Sequence, residues 1–208
     1  MSTEKSYNQI AGQSVERIAA LSDGVFAIAM TLLVLDLRVP ASNAIRSEHD
    51  LWAALIGLAP RLVPYVMSFL TLGIFWVGQQ TQLNSFTRGD RNLAWISILF
   101  LFGVSLVPFS TALLAQYITY RVALLVYWGN ILLLGTVLYG LLRYAYTAGM
   151  IESANAQAML RANERRIVGA QVLYGIGAAL CVFGTFVSIG FIVLVQLNYA
   201  IAPRIRGR

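Results

Sequence analysis

Apolar stretches of about 20 residues recur along this chain with short polar joints between them, and that length is what an α-helix needs to cross a bilayer. Inside hydrocarbon every backbone amide must find a partner within the protein, so the backbone has almost no other choice there. The composition agrees. Of 208 residues, 58% are hydrophobic and 12% charged, against about 25% charged in soluble domains. The mean hydropathy is +0.70. The reading is an all-α integral membrane protein whose 208 residues form one domain. Residues 1–17 are too polar for a cleavable leader and read as a cytoplasmic N-terminal segment, and 203–208 as a basic cytoplasmic tail.

Six transmembrane helices are expected. Span 1 covers Ile18 to Leu37 and stops before Pro40. Span 2 covers Leu51 to Gln80, with Pro60 and Pro64 near one end. Span 3 covers Asn92 to Ala115 and is kinked by Pro108, the freed backbone groups being satisfied by Ser110 or Thr111. Span 4 covers Thr119 to Tyr146. The stretch Ile167 to Ala202 is too long for one crossing and divides near Ser188–Gly190 into spans 5 and 6. The connection from Thr147 to Arg166 is polar and Ala-rich and is expected to extend spans 4 and 5.

Basic residues set the orientation. With both termini inside, Lys5, Arg17, Arg88, Arg91, Arg143, Arg161, Arg165, Arg166, Arg204, Arg206 and Arg208 face the cytoplasm, and only Arg38, Arg46, Arg61 and Arg121 face out. The net charge of +6 is therefore topological, and no nucleic-acid partner is expected. A cell (inner) membrane location follows, with lipid as the surrounding partner. Trp52 and Trp95 suit an interfacial belt, and Arg38 an anchor that snorkels to headgroups.

Span 1 carries the most informative residues. On a helical wheel with Ile28 at zero, Leu32 falls at about +40°, Leu35 at about −20°, Gly24 at about −40° and Thr31 at about −60°. Ser22 and Asp23 fall on the back, at about +120° and −140°, with Phe26, Met30, Leu33 and Leu37. The Ile28, Leu32, Leu35 stripe is either an ordinary packing face or the wall of a pore, where rings of branched side chains gate by dewetting. Asp23 is an ionisable group at membrane depth. It is either a hydrogen-bonded structural residue or an ion or proton ligand. Arg17 lies about 240° from it on an ideal helix, so a pair between them needs a bend or a second subunit.

Catalytic chemistry finds little support. One His (His49) and one Cys (Cys181) cannot build a zinc site or a disulfide framework. No Gly-rich phosphate loop is present, and no cofactor is expected. The Thr-Val-Gly-Tyr-Gly potassium filter is absent, and Tyr174-Gly175-Ile176-Gly177 reads as helix packing. Asp36, Glu48 and Asp50 are solvated loop charges or concentrate cations at the outer mouth.

Three stretches carry a resemblance. Arg17-Ile-Ala-Ala-Leu21-Ser22-Asp23 with the following Gly-Val-Phe-Ala-Ile-Ala-Met-Thr-Leu-Leu resembles the R-x-x-x-F-S-D opening of the transmembrane protein 175 family of potassium channels. Phe75-Trp76-Val-Gly-Gln79-Gln80 is similar to its F-W-x-x-H-H, and Leu106-Val107-Pro108-Phe109-Ser110-Thr111 to its L-L-P-F-P-T. The resemblance implies a homotetramer of six-helix subunits around a central pore lined by span 1. It implies a main constriction at Ile28, further narrow points at Leu32 and Leu35, and a selectivity role for Ile28 and Thr31. Permeating potassium would pass transiently near Ile28 and Thr31, with no resident metal. Arg17, Ser22, Asp23, Trp76, Gln79 and Gln80 correspond to a signature network at the cytoplasmic end. Leu21 stands where the family has Phe, and Gln79 and Gln80 where it has paired His, so a pH response through those histidines is not expected. The implied function is a passive potassium-preferring cation channel. The alternative is a proton channel or proton-coupled transporter using Asp23.

Overall fold

A computed structural model describes residues 14–41, 45–151 and 156–201. The basic tail at 203–208, Lys5 and most of the N-terminal segment lie outside the described residues. All regular structure among the described residues is helical.

Helix α1 (Val15–Leu32) opens on Ser14, whose side chain accepts from the Arg17 backbone N–H, and tightens into a 3₁₀ turn at Leu33–Asp36. Helix α2 (Glu48–Gly57) is capped by Ser47 and has no buried residue. Helix α3 (Ala59–Leu83) follows after Leu58 alone. Span 2 is therefore two helices, a correction to the single helix expected from Leu51. Pro60 sits in the first turn of α3, where its missing N–H costs nothing, but it ends α2.

Helix α4 (Arg91–Ser105) starts at the Asp90 cap, whose carboxylate accepts from the Leu93 N–H at 2.8 Å. Helix α5 (Val107–Gln116) restarts immediately after Leu106, with Pro108 in its first turn. Helix α6 (Arg121–Thr147) ends at a turn in which Gly149 takes φ +63°, a left-handed conformation that a Cβ would strain. Helix α7 (Ala156–Ala179) runs into a short 3₁₀ turn at Leu180–Val182, and helix α8 (Thr185–Ile201) is the last helix among the described residues. The division between the last two segments is thus at Phe183–Gly184. Ser188 and Gly190, where the break was expected, lie inside α8. The polar connection extends α7 as expected, while α6 stops at Thr147.

Among the described residues, five segments are long and apolar enough to cross a membrane: Val15–Asp36, Ala59–Leu83, Arg91–Gln116, Arg121–Thr147 and Ala156–Val182. Thr185–Ile201 is apolar but shorter, at 17 residues, or about 26 Å of helix. The protein is a multi-pass membrane protein.

Helix α6 is the hub, packing against α3, α4, α5 and α7. Helix α8 closes the bundle against α3 and α7. At Gly177 a Cβ would lie 2.8 Å from Ile192 Cγ1, so the Tyr174–Gly177 stretch is a close-packed contact between α7 and α8. Helix α1 lies at an edge, packed on α3 and α4 and touching α5 near its end.

A buried polar cluster ties the middle of the bundle together. Thr111 Oγ1 and Ser68 Oγ lie 2.6 Å apart, Ser68 Oγ and the Tyr127 hydroxyl 3.3 Å apart, and Gln196 Nε2 donates to Thr71 Oγ1 (2.7 Å). Thr71 Oγ1 and the Tyr127 hydroxyl are 3.0 Å apart. Four helices (α3, α5, α6, α8) are joined through side-chain polar groups, a form of adhesion that works in lipid because the tails compete only weakly for it.

Candidate ion pathway

Helix α1 separates two faces. Ile18, Ser22, Phe26, Ala29 and Leu33, spaced by three and four, are buried against the rest of the chain. Leu21, Gly24, Ile28, Thr31, Leu32 and Leu35 are exposed, Ile28 to 61% and Leu35 to 68%. The 3₁₀ turn eclipses side chains three residues apart, which keeps Leu35 in line with Leu32 as the helix ends. The hydroxyl of Thr31 donates to the Ile28 carbonyl at 2.8 Å, leaving its oxygen lone pairs free on the exposed face. Among the described residues, no element covers this column.

The network residues divide. Asp23 reaches sideways to α3, where its Oδ1 accepts from Trp76 Nε1 at 2.8 Å and from Gln80 Nε2 at 2.6 Å. One carboxylate oxygen thus clamps the start of α1 to the end of α3. Trp76 and Gln80, four apart, share a helix face and can reach it together. The expectation that Asp23 sits on the back of α1 holds for its direction toward its own subunit, yet the residue stays exposed. Ser22 does not join this group. It is fully buried, and its hydroxyl bonds back to the Ile18 carbonyl at 2.9 Å. Gln79 turns into the interior, where both amide atoms lack partners among the described residues. The guanidinium of Arg17 makes no ion pair among the described residues, so an Arg17–Asp23 pair within one chain is not formed.

That end of the molecule is defined by more than Asp23. The Thr87 N–H donates to the Met150 carbonyl (2.9 Å) and Arg88 to the Ala148 carbonyl (3.2 Å). The α3–α4 and α6–α7 connections therefore lie together, with Arg143 paired to Glu164 at 3.0 Å. At the opposite end, Asp50 accepts from the Arg46 N–H (3.1 Å) and belongs to the start of α2. Asp36, Arg38 and Arg61 line a separate cleft with Gln116. No group of three or more His, Cys, Asp or Glu among the described residues can hold a metal ion.

Asn130 was not anticipated as a positioning residue. In the amide orientation that satisfies both ends, its nitrogen donates to the Gly103 carbonyl and its oxygen accepts from the Val107 N–H, both at 3.1 Å. Those two backbone groups would bond each other in an unbroken helix. Asn130 is inserted between them and holds the α4–α5 break open. Ser110 and Thr111 do not satisfy the groups freed there, as had been expected. Their hydroxyls instead bond the Val107 carbonyl, at 3.0 and 2.7 Å. A lone Asn in the apolar run of span 4 was the available signal.

Comparison with known proteins places this arrangement. A family sequence model described as "Endosomal/lysosomal potassium channel TMEM175" matches residues 17–108. A potassium channel of Chamaesiphon minutus is 34% identical over 177 residues, covering 83% of this chain and 85% of that protein. The chain belongs to the TMEM175 family. A crystal structure described as a lysosomal potassium-selective channel TMEM175 homolog from the same organism superposes with a TM-score of 0.78 at 31% identity, covering 90% of this chain and 96% of that one. A potassium channel of Streptomyces collinus is 44% identical over 102 residues, and this chain spans 48% of its length. The TMEM175 family is one of channels, not enzymes.

Proposed function

We propose that this chain is one subunit of a passive, potassium-preferring cation channel, a homotetramer whose four α1 helices surround a central pore. Residues 1–208 then form one six-span channel domain. The observation that carries this reading is the uncovered column on α1. Ile28, Thr31, Leu32 and Leu35 face away from the chain's own core, while Asp23 fixes the base of the same helix to α3. A lone subunit offers no continuous polar path beside that column, whereas a symmetric ring of copies closes one.

In such a ring the side chains of Ile28, Leu32 and Leu35 form successive apolar constrictions that gate by dewetting and set the pore diameter. Thr31 adds a ring of hydroxyl oxygens next to the Ile28 constriction. An ion crossing an apolar ring must shed part of its hydration shell, and potassium sheds water more readily than sodium. Selectivity of this kind is modest. The cluster of Arg88, Arg91, Arg143, Arg161, Arg165 and Arg166 at the Asp23 end supports a cytoplasmic placement of that end, with both termini inside.

The test is reconstitution into liposomes under a potassium gradient. Potassium flux without valinomycin is expected, together with a smaller sodium flux. Vesicles that hold their gradient would overturn the channel reading.

A further inference from the structure

Behind the proposed pore wall, on the far side of α3, lies a cleft of ≈ 60 Å³ between α3, α6, α7 and α8. That is room for a few water-sized groups, such as the hydroxyls of a small head, in a cleft that opens to the surface at the exposed Arg166. Arg166, Asn163 and Tyr199 stand at its outer part, and Gln82, Gln171 and Tyr174 line it more deeply among apolar residues such as Ile74 and Leu138. Two observations mark it as more than a packing fault. The amide oxygens of Gln82 and Gln171 are buried and have no hydrogen-bond partner among the described residues. Buried acceptors of this kind are normally satisfied, so they call for a donor from outside the protein. Arg166, in turn, makes no ion pair among the described residues. Nearby Glu164 is engaged by Arg143.

We propose that this cleft binds a phosphorylated polyol head, the phosphate on Arg166 and the polyol hydroxyls on the Gln82 and Gln171 oxygens. A guanidinium with neighbouring amide and phenol donors suits a phosphate, and hydroxyls supply the donors that the two amides lack. The position favours such a head. Arg166 directly precedes Ile167, where the long apolar run begins, so the mouth sits at the headgroup level of a bilayer. The same chemistry is offered by a phosphoglycerol lipid and by free glycerol phosphate.

The site is placed to act on the pore, an effect that rests on the reading of α1 as pore wall. At 100° per residue, Gly78, which lines the cleft, lies about 160–200° round α3 from Trp76 and Gln80. One face of α3 therefore holds Asp23 of α1, and the opposite face meets the ligand. A head that wedges α3 away from α7 moves the anchor of the pore helix.

The experiment compares the intact protein in nanodiscs of phosphatidylcholine alone, of phosphatidylcholine with phosphatidylglycerol, and of phosphatidylcholine with added glycerol 3-phosphate, reading the thermal midpoint first. A saturable rise is expected in at least one of the last two. A rise with phosphatidylglycerol only assigns the ligand to the bilayer, and a rise with glycerol 3-phosphate assigns it to the aqueous phase. Arg166→Gln is expected to weaken the half-saturating amount about tenfold, and Ala170→Leu, which fills the cleft, to abolish the response. Arg165→Gln, an exposed neighbour outside the cleft, is expected to keep it. An unchanged midpoint in all three conditions, or an equal response in Arg166→Gln and wild type, overturns the site. Because the midpoint does not depend on conduction, it separates failure of the site from failure of the channel reading. A potassium flux unaltered by a ligand that raises the midpoint overturns the coupling to the pore.

Discussion

Replacing Asn130 by Leu tests the α4–α5 break directly. The substitution keeps the number and branching of side-chain heavy atoms and removes the amide that partners the Gly103 carbonyl and the Val107 N–H. The Val107 N–H loses its partner, worth about 1–3 kcal/mol when left unsatisfied, while the Gly103 carbonyl keeps only the Leu106 N–H at 3.2 Å. Side-chain hydrogen bonds in membrane bundles average nearer 0.6 kcal/mol, with a maximum of about 1.7. Straightening at Leu106 would let the two groups bond each other, but Pro108 still offers no N–H to the Val104 carbonyl and its ring still crowds the preceding turn. A loss of about 2 kcal/mol is therefore expected. For a chain of 150–250 residues that is a fall of about 4–8 °C in the thermal midpoint. The assay is thermal unfolding in detergent followed by intrinsic tryptophan fluorescence. Thr136→Ala serves as the control, because its exposed hydroxyl bonds only within its own helix, to Leu132. A midpoint for Asn130→Leu within about 1 °C of that control would refute the claim that Asn130 holds the break. The consequence should reach the pathway as well, since α5 packs on α1 and its terminal 3₁₀ turn.

Ile28→Asn is expected to wet the proposed constriction, raising potassium leak and reducing the preference over sodium; unchanged conductance and selectivity would show that Ile28 is not the narrow point. With Cys181 replaced by Ser, Ile28→Cys is expected to cross-link into dimers under mild oxidation on a denaturing gel, and a gel showing only monomer would count against copies meeting at α1. Asp23→Asn keeps an acceptor for Trp76 and Gln80, so potassium flux should persist; a selective loss of proton flux would instead identify the carboxylate as a proton relay. Gly177→Leu places side-chain atoms where Ile192 already sits, and a destabilisation of about 1–3 kcal/mol is expected from such overpacking, measured as a lower thermal midpoint; no shift would mean that α7 and α8 do not pack closely there.

The two faces of α1 were readable from spacing alone. A period of 3.6 residues fixes which side chains share a face, so the wheel groups Ile28, Thr31, Leu32 and Leu35 and sets Phe26 and Leu33 opposite them. The proline positions were equally plain, but their effect was not. Pro60 divides span 2 at Leu58, and Pro108 divides span 3 at Leu106, because a missing N–H can be absorbed by a kink or by a fresh helix start. The surroundings choose between them. Hydropathy also misplaced the last division, since Ser188 and Gly190 resemble breakers in one dimension. Ser188 is buried inside α8, and the chain actually turns at Gly184.

What the sequence determined by itself is the class of molecule: membrane-crossing helices, their approximate limits, the inward and outward faces of the first one, and the family signature that begins at Arg17. These depend on hydrophobic length and helical period, which are local properties. Partnership was decided only by tertiary structure. Asp23 bonds Trp76 and Gln80 across more than fifty residues, Gln79 turns away from its neighbour, Asn130 enters a break in another helix, and the amide oxygens of Gln82 and Gln171 face a cleft with no hydrogen-bond partner among the described residues. A polar side chain in an apolar run must find some partner. Which one it finds depends on how the helices rotate and approach, and no local pattern encodes that.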